Sequence, residues 1–319
     1  MNPVDAASRY GADSLFVVTA WGAHATDSMS DRICRWRDAG CRGVTSFLPL
    51  YWKYPEELLP FWTCDLPHRV VEAADRIRGL ADLWSDEASR RQFRVQLRWR
   101  LDGDFAPLAL PAPGSLYFSP EFIRLRSDER VVDCGAYDGD TLRDFLARTG
   151  AAFGRYTALE PDPENFRRFA VEAARQDPAV RDRIRLLPVA AHHRRETLRF
   201  AASGDLSSAV GRDGSVRVQG ETLDAIIGSE SPTFIKLDIE GAEIDALRGA
   251  AGILAHARPV VAVSVYHRQS HLWEIPELLR SMVSDYAFFL VPHVRDGWDL
   301  VCYAVPKERL DGRIAREGL

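Results

Sequence analysis

The chain has 319 residues, of which 46% are hydrophobic and 27% charged, which places it among globular proteins that bury a core without disulfide staples. Its 41 basic against 46 acidic residues give a net charge of −5. Without a basic surplus to compensate a polyanion, nucleic acid is excluded as the expected partner. Five cysteines (Cys34, Cys41, Cys64, Cys134 and Cys302) lack CxxC spacing, which argues against both a zinc ribbon and a secreted disulfide framework. With no basic leader and no apolar run long enough to span a bilayer, a cytoplasmic protein without membrane contact is expected.

The length predicts two domains. Apolar residues within 14–22 predict a buried strand, a helix follows around Ile33 and Trp36 and stops at Gly40, and Val44–Leu48 supplies a second strand. The turn of this β-α-β unit, Gly22 to Thr26, carries no glycine fingerprint for a pyrophosphate. The unit therefore reads as structural or substrate-shaping rather than as a second nucleotide site. Val71, Ala74, Ile77 and Leu80 fall at helical spacing, and Phe93, Leu97 and Trp99 mark a further helical segment. The Pro- and Gly-rich stretch from Asp102 to Gly114 predicts a linker with a boundary near residue 112. A smaller N-terminal α/β domain over 1–112 and a second domain over 113–319 follow from it.

Beyond the linker, short apolar runs alternate with amphipathic helices, the signature of a parallel sheet covered on both faces. Val131–Cys134, Tyr156–Leu159, Ile184–Val189, Phe234–Leu237 and Val260–Val265 are the predicted strands. Tyr286–Val291 and Leu300–Val305, on either side of Arg295-Asp296-Gly297, predict a closing antiparallel hairpin. Ligands of such sheets bind beyond the carboxyl ends of the strands, so the residues after each strand are the candidates.

After the first strand come Asp133, Gly135, Ala136 and Gly139, with Asp140 or Thr141 as the expected helix cap. The spacing Gly-x-x-x-Gly omits the central glycine of a dinucleotide fingerprint, with Tyr137 in that region, which weakens a pyrophosphate reading. After the second strand, Glu160 is placed to accept hydrogen bonds from a ribose diol, and Asp162-Pro163 to start a helix. The third junction, Ala190-Ala191-His192-His193, offers backbone groups for an adenine edge, with Ala191 the candidate. Adjacent histidines are expected to point apart, so no metal is predicted there. The fourth junction gathers Lys236, Asp238, Glu240 and Glu243; Glu243 is explained by the helix dipole, and Asp238 and Glu240 are the better site residues. The fifth, Tyr266 to His271, is expected as a loop before a helix starting at Pro276, and its His267 has the chemistry of a general base.

Five segments in this order, VVDCGAYDGDT, ALEPDPENF, GETLDAI, FIKLDIEGAEIDALRGA and SVYHRQSHLWEIP, resemble the FkbM-type family of class I methyltransferases. The resemblance covers about the last 200 residues. It implies a Rossmann-like seven-stranded sheet with a reversed final hairpin, S-adenosylmethionine as methyl donor and most often a hydroxyl as acceptor. It carries cofactor roles onto Asp133, Gly135, Gly139 and Glu160, and places Asp238 near the methionine or acceptor side. Phe47–Trp62 (FLPLYWKYPEELLPFW) is similar to the accessory domain of longer members, a likeness without assigned chemistry. Those rings are expected mainly in core packing, with a cover over the active site as the other use.

The expected reaction is in-line methyl transfer to a sugar or natural-product hydroxyl, with His267 as base and Asp238 and Glu240 orienting the acceptor or the base. An NAD(P)-dependent oxidoreductase or epimerase shares the strand-glycine-acid arrangement, and a non-catalytic protein retaining the cofactor fold is the other alternative. The expected partner is a small-molecule or sugar acceptor, with a homodimer through the N-terminal domain as a further expectation.

Overall fold

The computed structural model describes residues 3–22, 27–108, 116–118, 122–201, 209–210, 214 and 216–310. The chain divides into two units. One comprises Met1–Pro113, Val265–Trp273 and Leu290–Leu300, and the other Gly114–Ser264, Glu274–Phe289 and Val301–Leu319.

The first unit begins with α1 (Pro3–Tyr10), β1 (Leu15–Val18), α2 (Met29–Asp38) and β2 (Gly43–Ser46). The two strands are parallel, with Val17 opposite Thr45, so the β-α-β reading holds. A capping box starts α2: Asp31 N donates to Ser28 Oγ at 3.1 Å and Ser28 N to the Asp31 carboxylate at 2.9 Å. The second strand is shorter than expected, because Pro49 in the first turn of α3 (Leu48–Lys53) converts the chain to helix. α4 (Pro55–Leu58), α5 (His68–Glu72), α6 (Ala74–Arg78) and α7 (Glu87–Asp102) follow, the last capped by Asp86 and ended by Gly103 at φ 74°. Val18, Met29, Val44, Phe47, Leu48, Trp99 and Phe105 form the core of this unit. Ala23–Thr26 of the first turn and the boundary near residue 112 lie outside the described residues.

The second unit opens with β3 (Arg130–Cys134), α8 (Asp140–Thr149), β4 (Arg155–Leu159), α9 (Pro163–Ala174), α10 (Pro178–Arg181) and β5 (Ile184–Leu187). Next come β6 (Val189–Ala191), β7 (Glu196–Ala201), β8 (Ala209–Val210), β9 (Val216–Glu221) and α11 (Leu223–Ile227). The chain ends in β10 (Phe234–Leu237), α12 (Glu243–Arg248), α13 (Ala251–Ala257), β11 (Val260–Ser264), α14 (His271–Met282), β12 (Tyr286–Pro292) and β13 (Leu300–Pro306). Seven strands form one sheet in the order β12-β13-β11-β10-β3-β4-β5. β13 runs antiparallel to β11, whereas β11, β10, β3, β4 and β5 are mutually parallel. The predicted Rossmann-like α/β sheet with a reversed final hairpin is therefore present. No helix among the described residues is long and apolar enough to cross a membrane.

Three further expectations need correction. The strand expected over Ile184–Val189 breaks at Pro188, which cannot donate to a ladder; β5 stays in the large sheet and β6 enters a second sheet of order β6-β9-β7-β8. The residue capping α8 is Gly139 at φ 89°, with Asp140 the first helical residue and no side-chain cap. The helix expected from Pro276 starts at His271, because the turn with His271 N on Arg268 O (3.1 Å) and Trp273 N on Ser270 O (3.1 Å) already initiates it. Within a helix already begun, Pro276 forfeits one donor.

Candidate functional site

Register brings three junctions of the second unit side by side. Cys134 at the end of β3 lies opposite Leu159 of β4 on one side and Leu237 of β10 on the other. The next residues, Gly135, Glu160 and Asp238, are therefore neighbours at the carboxyl edge of the sheet, where open α/β folds hold ligands.

The loop after β3 is fixed by its own backbone. Gly135 N and Ala136 N both donate to Leu159 O, at 3.0 and 3.1 Å, and Gly139 N donates to Ala136 O at 3.0 Å. Gly135 and Gly139 have φ of +81° and +89°, and Tyr137 between them has φ 47°. The glycine at 135 serves a close approach of protein to protein: a Cβ there would lie 1.9 Å from the Asp238 carbonyl oxygen. At Gly139 a Cβ would press on Glu172 and Phe169 side chains at 3.3 and 3.4 Å.

Glu160 joins the two loops. Its Oε2 accepts from Tyr137 N and its Oε1 from Asp162 N, each at 2.8 Å. Burial pushes its carboxyl up to about 7, against these two backbone donors. Each oxygen keeps a second acceptor direction, which is what recognition of a vicinal diol requires. Asp162 caps α9, accepting from Glu164 N (2.8 Å) and Asn165 N (3.1 Å) ahead of Pro163.

Asp133 points into the protein. It is buried, its Oδ2 accepts from the Tyr156 hydroxyl at 2.6 Å and its Oδ1 lies 3.0 Å from Lys236 Nζ. Lys236 Nζ also donates to Gly135 O at 2.5 Å and sits 5.1 Å from the centre of the Tyr117 ring. Burial opposes the Lys236 ammonium, yet Asp133, Asp238 and Asp140 together outweigh it and raise its pKa, so it stays charged. Asp238 is partly exposed; its backbone N donates to Cys134 O at 3.1 Å and its Oδ2 accepts from the Tyr117 hydroxyl at 2.7 Å. Glu240 is partly exposed at φ 56°. Glu243 does more than complement a dipole: it is buried, and its Oε1 accepts from Ile239 N (2.9 Å) and Gly241 N (3.3 Å), closing the turn that follows Asp238. Tyr117 and Tyr156 escaped sequence reasoning. Tyr156 had a signal, a phenol inside an apolar strand needing a polar partner.

The remaining predicted residues are less central. Ala136 is buried, Thr141 is buried in α8, and Asp140 is exposed and accepts from Thr141 N at 2.7 Å. Ala191 is the last residue of β6, paired with Glu221 of β9, and the third junction runs on from it into the turn at His192 and His193. His192 and His193 do not point apart. They sit in the turn after β6, where alternation ends, with ring centres 4.2 Å apart and donor atoms within 4.8 Å of one another and of Glu196. Arg194 already grips both Glu196 oxygens at 3.0 Å, which removes the anionic ligand a cation there would need. A groove of about 380 Å³ lined by Asp224, Ser231 and His256 lies toward the amino end of β10, away from this edge.

His267 belongs to the first unit and is in the loop expected for it, three residues past β11. It is buried, its ring centre 6.1 Å from that of Trp62, which in turn lies 5.4 Å from that of Trp298. Trp21 stacks near Trp298 (4.5 Å) and Phe47 (5.1 Å), so the aromatic segment Phe47–Trp62 contributes both to core and to the surroundings of His267. Gln269 fixes this loop by accepting from Asp65 N (3.2 Å) and donating to Leu66 O (3.1 Å).

A sheet of this strand order, with its final strand reversed and a glycine turn beside an acid at the next strand end, is that of a class I methyltransferase. Residues 133–290 match the methyltransferase FkbM domain. The methyltransferase FkbM structure from Methylobacillus flagellatus KT is 26% identical, with TM-score 0.73 over 86% of this chain and 69% of its own. Residues 133–290 thus resemble the FkbM methyltransferase family in sequence, and the chain resembles the Methylobacillus flagellatus member in fold. Aeropyrum pernix fibrillarin with bound S-adenosyl-L-methionine gives 15% identity and TM-score 0.35, over 57% of this chain and 70% of its own. The precorrin-6y C5,15-methyltransferase of Geobacter metallireducens gives 14% and 0.34, over 57% and 81%. No curated protein matches the sequence.

Proposed function

We propose that the protein transfers a methyl group from S-adenosylmethionine to a hydroxyl of a sugar or natural-product small molecule. The observation that carries the donor side is the register that sets Gly135, Glu160 and Asp238 next to one another at the carboxyl edge of the sheet. In this reading the adenosyl ribose lies on the Glu160 carboxylate, whose two oxygens are already oriented by Tyr137 N and Asp162 N. The bound donor supplies an electrophilic methyl on a sulfonium. Attack by a hydroxyl then requires near-attack alignment and loss of the hydroxyl proton.

His267 is the proposed base and Glu240 orients the acceptor, with Asp238 on the methionine side of the donor. Support comes from the chemistry of a buried imidazole in the loop leaving β11, the strand that pairs with β10. The aromatic rings around it favour an acceptor with a ring face, since apolar and CH-rich faces stack on Trp and Tyr. Calorimetry with S-adenosylhomocysteine and NAD side by side, followed by a methyl-transfer assay on sugar and polyketide alcohols, tests the reading. Binding of S-adenosylhomocysteine with turnover on an alcohol supports it; binding of NAD alone overturns it.

A further inference from the structure

Asp238 stands at the edge of the donor site, and almost every degree of freedom of its backbone is removed. Its N donates to Cys134 O, its carbonyl oxygen takes the space a Cβ at position 135 would need, and Glu243 holds the next turn through Ile239 N and Gly241 N. What remains is the direction of the carboxylate, and the Tyr117 hydroxyl at 2.7 Å sets it. Tyr117 is itself anchored on both sides. Leu116 O accepts from the Tyr303 hydroxyl, and the Phe118 ring packs 5.0 Å from Phe234 and 5.4 Å from Phe145. Its own ring stands over Lys236 Nζ, the ammonium that holds Gly135 O.

We propose that Tyr117 is a positioning residue of the methyl-donor site, fixing the Asp238 carboxylate as a ready hydrogen-bond acceptor for the α-ammonium group of S-adenosylmethionine. This rests on the donor-site reading above. A preorganised acceptor spares the ligand the cost of ordering it, so the effect appears in donor affinity.

The test is a double-mutant cycle of wild type, Tyr117→Phe, Asp238→Asn and the double variant, read by calorimetry with S-adenosylhomocysteine, KM for S-adenosylmethionine and Tm. Tyr117→Phe keeps the ring over Lys236 and removes one hydroxyl. It is expected to raise Kd and the donor KM about tenfold, as loss of a hydrogen bond to a charged group does, with kcat at saturating donor and KM for the acceptor held within twofold. The double variant is expected to bind no more weakly than Asp238→Asn alone, because Tyr117 acts through Asp238. A Tyr117→Phe Kd within twofold of wild type, or effects that multiply in the double variant, overturns the proposal. A wild-type protein that binds no S-adenosylhomocysteine instead overturns the donor-site reading itself.

Discussion

Lys236 and Asp133 are direct partners across β10 and β3, and their side chains meet at 3.0 Å with both groups buried. The pair is the internal floor of the proposed donor site: its ammonium reaches up to Gly135 O, and its carboxylate reaches sideways to Tyr156. Removing either member leaves a desolvated charge behind.

Lys236→Met is accordingly expected to cost about 3–5 kcal/mol, and Asp133→Asn combined with Lys236→Met less than the sum of the two single changes. Urea denaturation of the four proteins measures this. Full additivity would show that the pair is not coupled.

Gly135→Ala adds a methyl 1.9 Å from the Asp238 carbonyl oxygen at a φ of +81°, so backbone must move. The expected loss exceeds about 4 kcal/mol. Gly139→Ala meets only side chains, at 3.3 Å and beyond, and is expected to cost about 1–2 kcal/mol, the penalty of the left-handed backbone. Equal denaturation midpoints for the two variants would contradict this ranking.

Glu160 gives the molecule a pH signature. Its carboxyl is raised to about 7 in the fold, from an unfolded value of about 4.3. Between those values the native state binds the additional proton, so the stability linked to this group falls as pH rises across that window. The drop is on the order of 3 kcal/mol, and Glu160→Gln is expected to flatten it. Binding runs the opposite way: ribose hydroxyls donate best to the ionised carboxylate, so the Kd for S-adenosylhomocysteine is expected to tighten as pH rises through about 7. Calorimetry at pH 6 and pH 8 reads the second effect, and a pH-independent Kd would remove Glu160 from the ribose.

His267→Ala is expected to lower kcat by about 10²–10⁴-fold while leaving the S-adenosylhomocysteine Kd within twofold. Steady-state kinetics at saturating acceptor decides it; wild-type turnover would end the assignment of His267 as base.

The large sheet was legible because β3, β4, β10 and β11 are short apolar runs of the kind that parallel sheets bury on both faces. The second sheet went unread, although its strands carry the other period: Leu198 and Phe200, then Val216 and Val218, alternate toward Ala190 in a small core of their own. Pro188 was the mark of the change between sheets. The acids after each strand could be named from position, whereas their orientation could not. Asp133 and Asp238 have identical chemistry in the sequence, yet the first points inward to Lys236 and Tyr156 and the second lies at the edge under Tyr117. That distinction depends on partners from distant segments. The glycine of the first loop likewise answers to a distant partner, the Asp238 carbonyl, which leaves no room for a Cβ.

The strand order also sets a timetable for synthesis. β3 waits for β10, whose Lys236 reaches Gly135 across 101 positions, and β13, near the end of the described chain, must enter between β11 and β12. A ribosome releasing this protein holds out an unfinished sheet edge until most of the chain has emerged. That edge is made of the apolar residues of β11, the kind of surface on which nascent chains pair with one another. Folding is thus expected to be slow and governed by the arrival of one late strand, so that expression at low temperature or with a chaperone that shields strand edges raises the soluble yield.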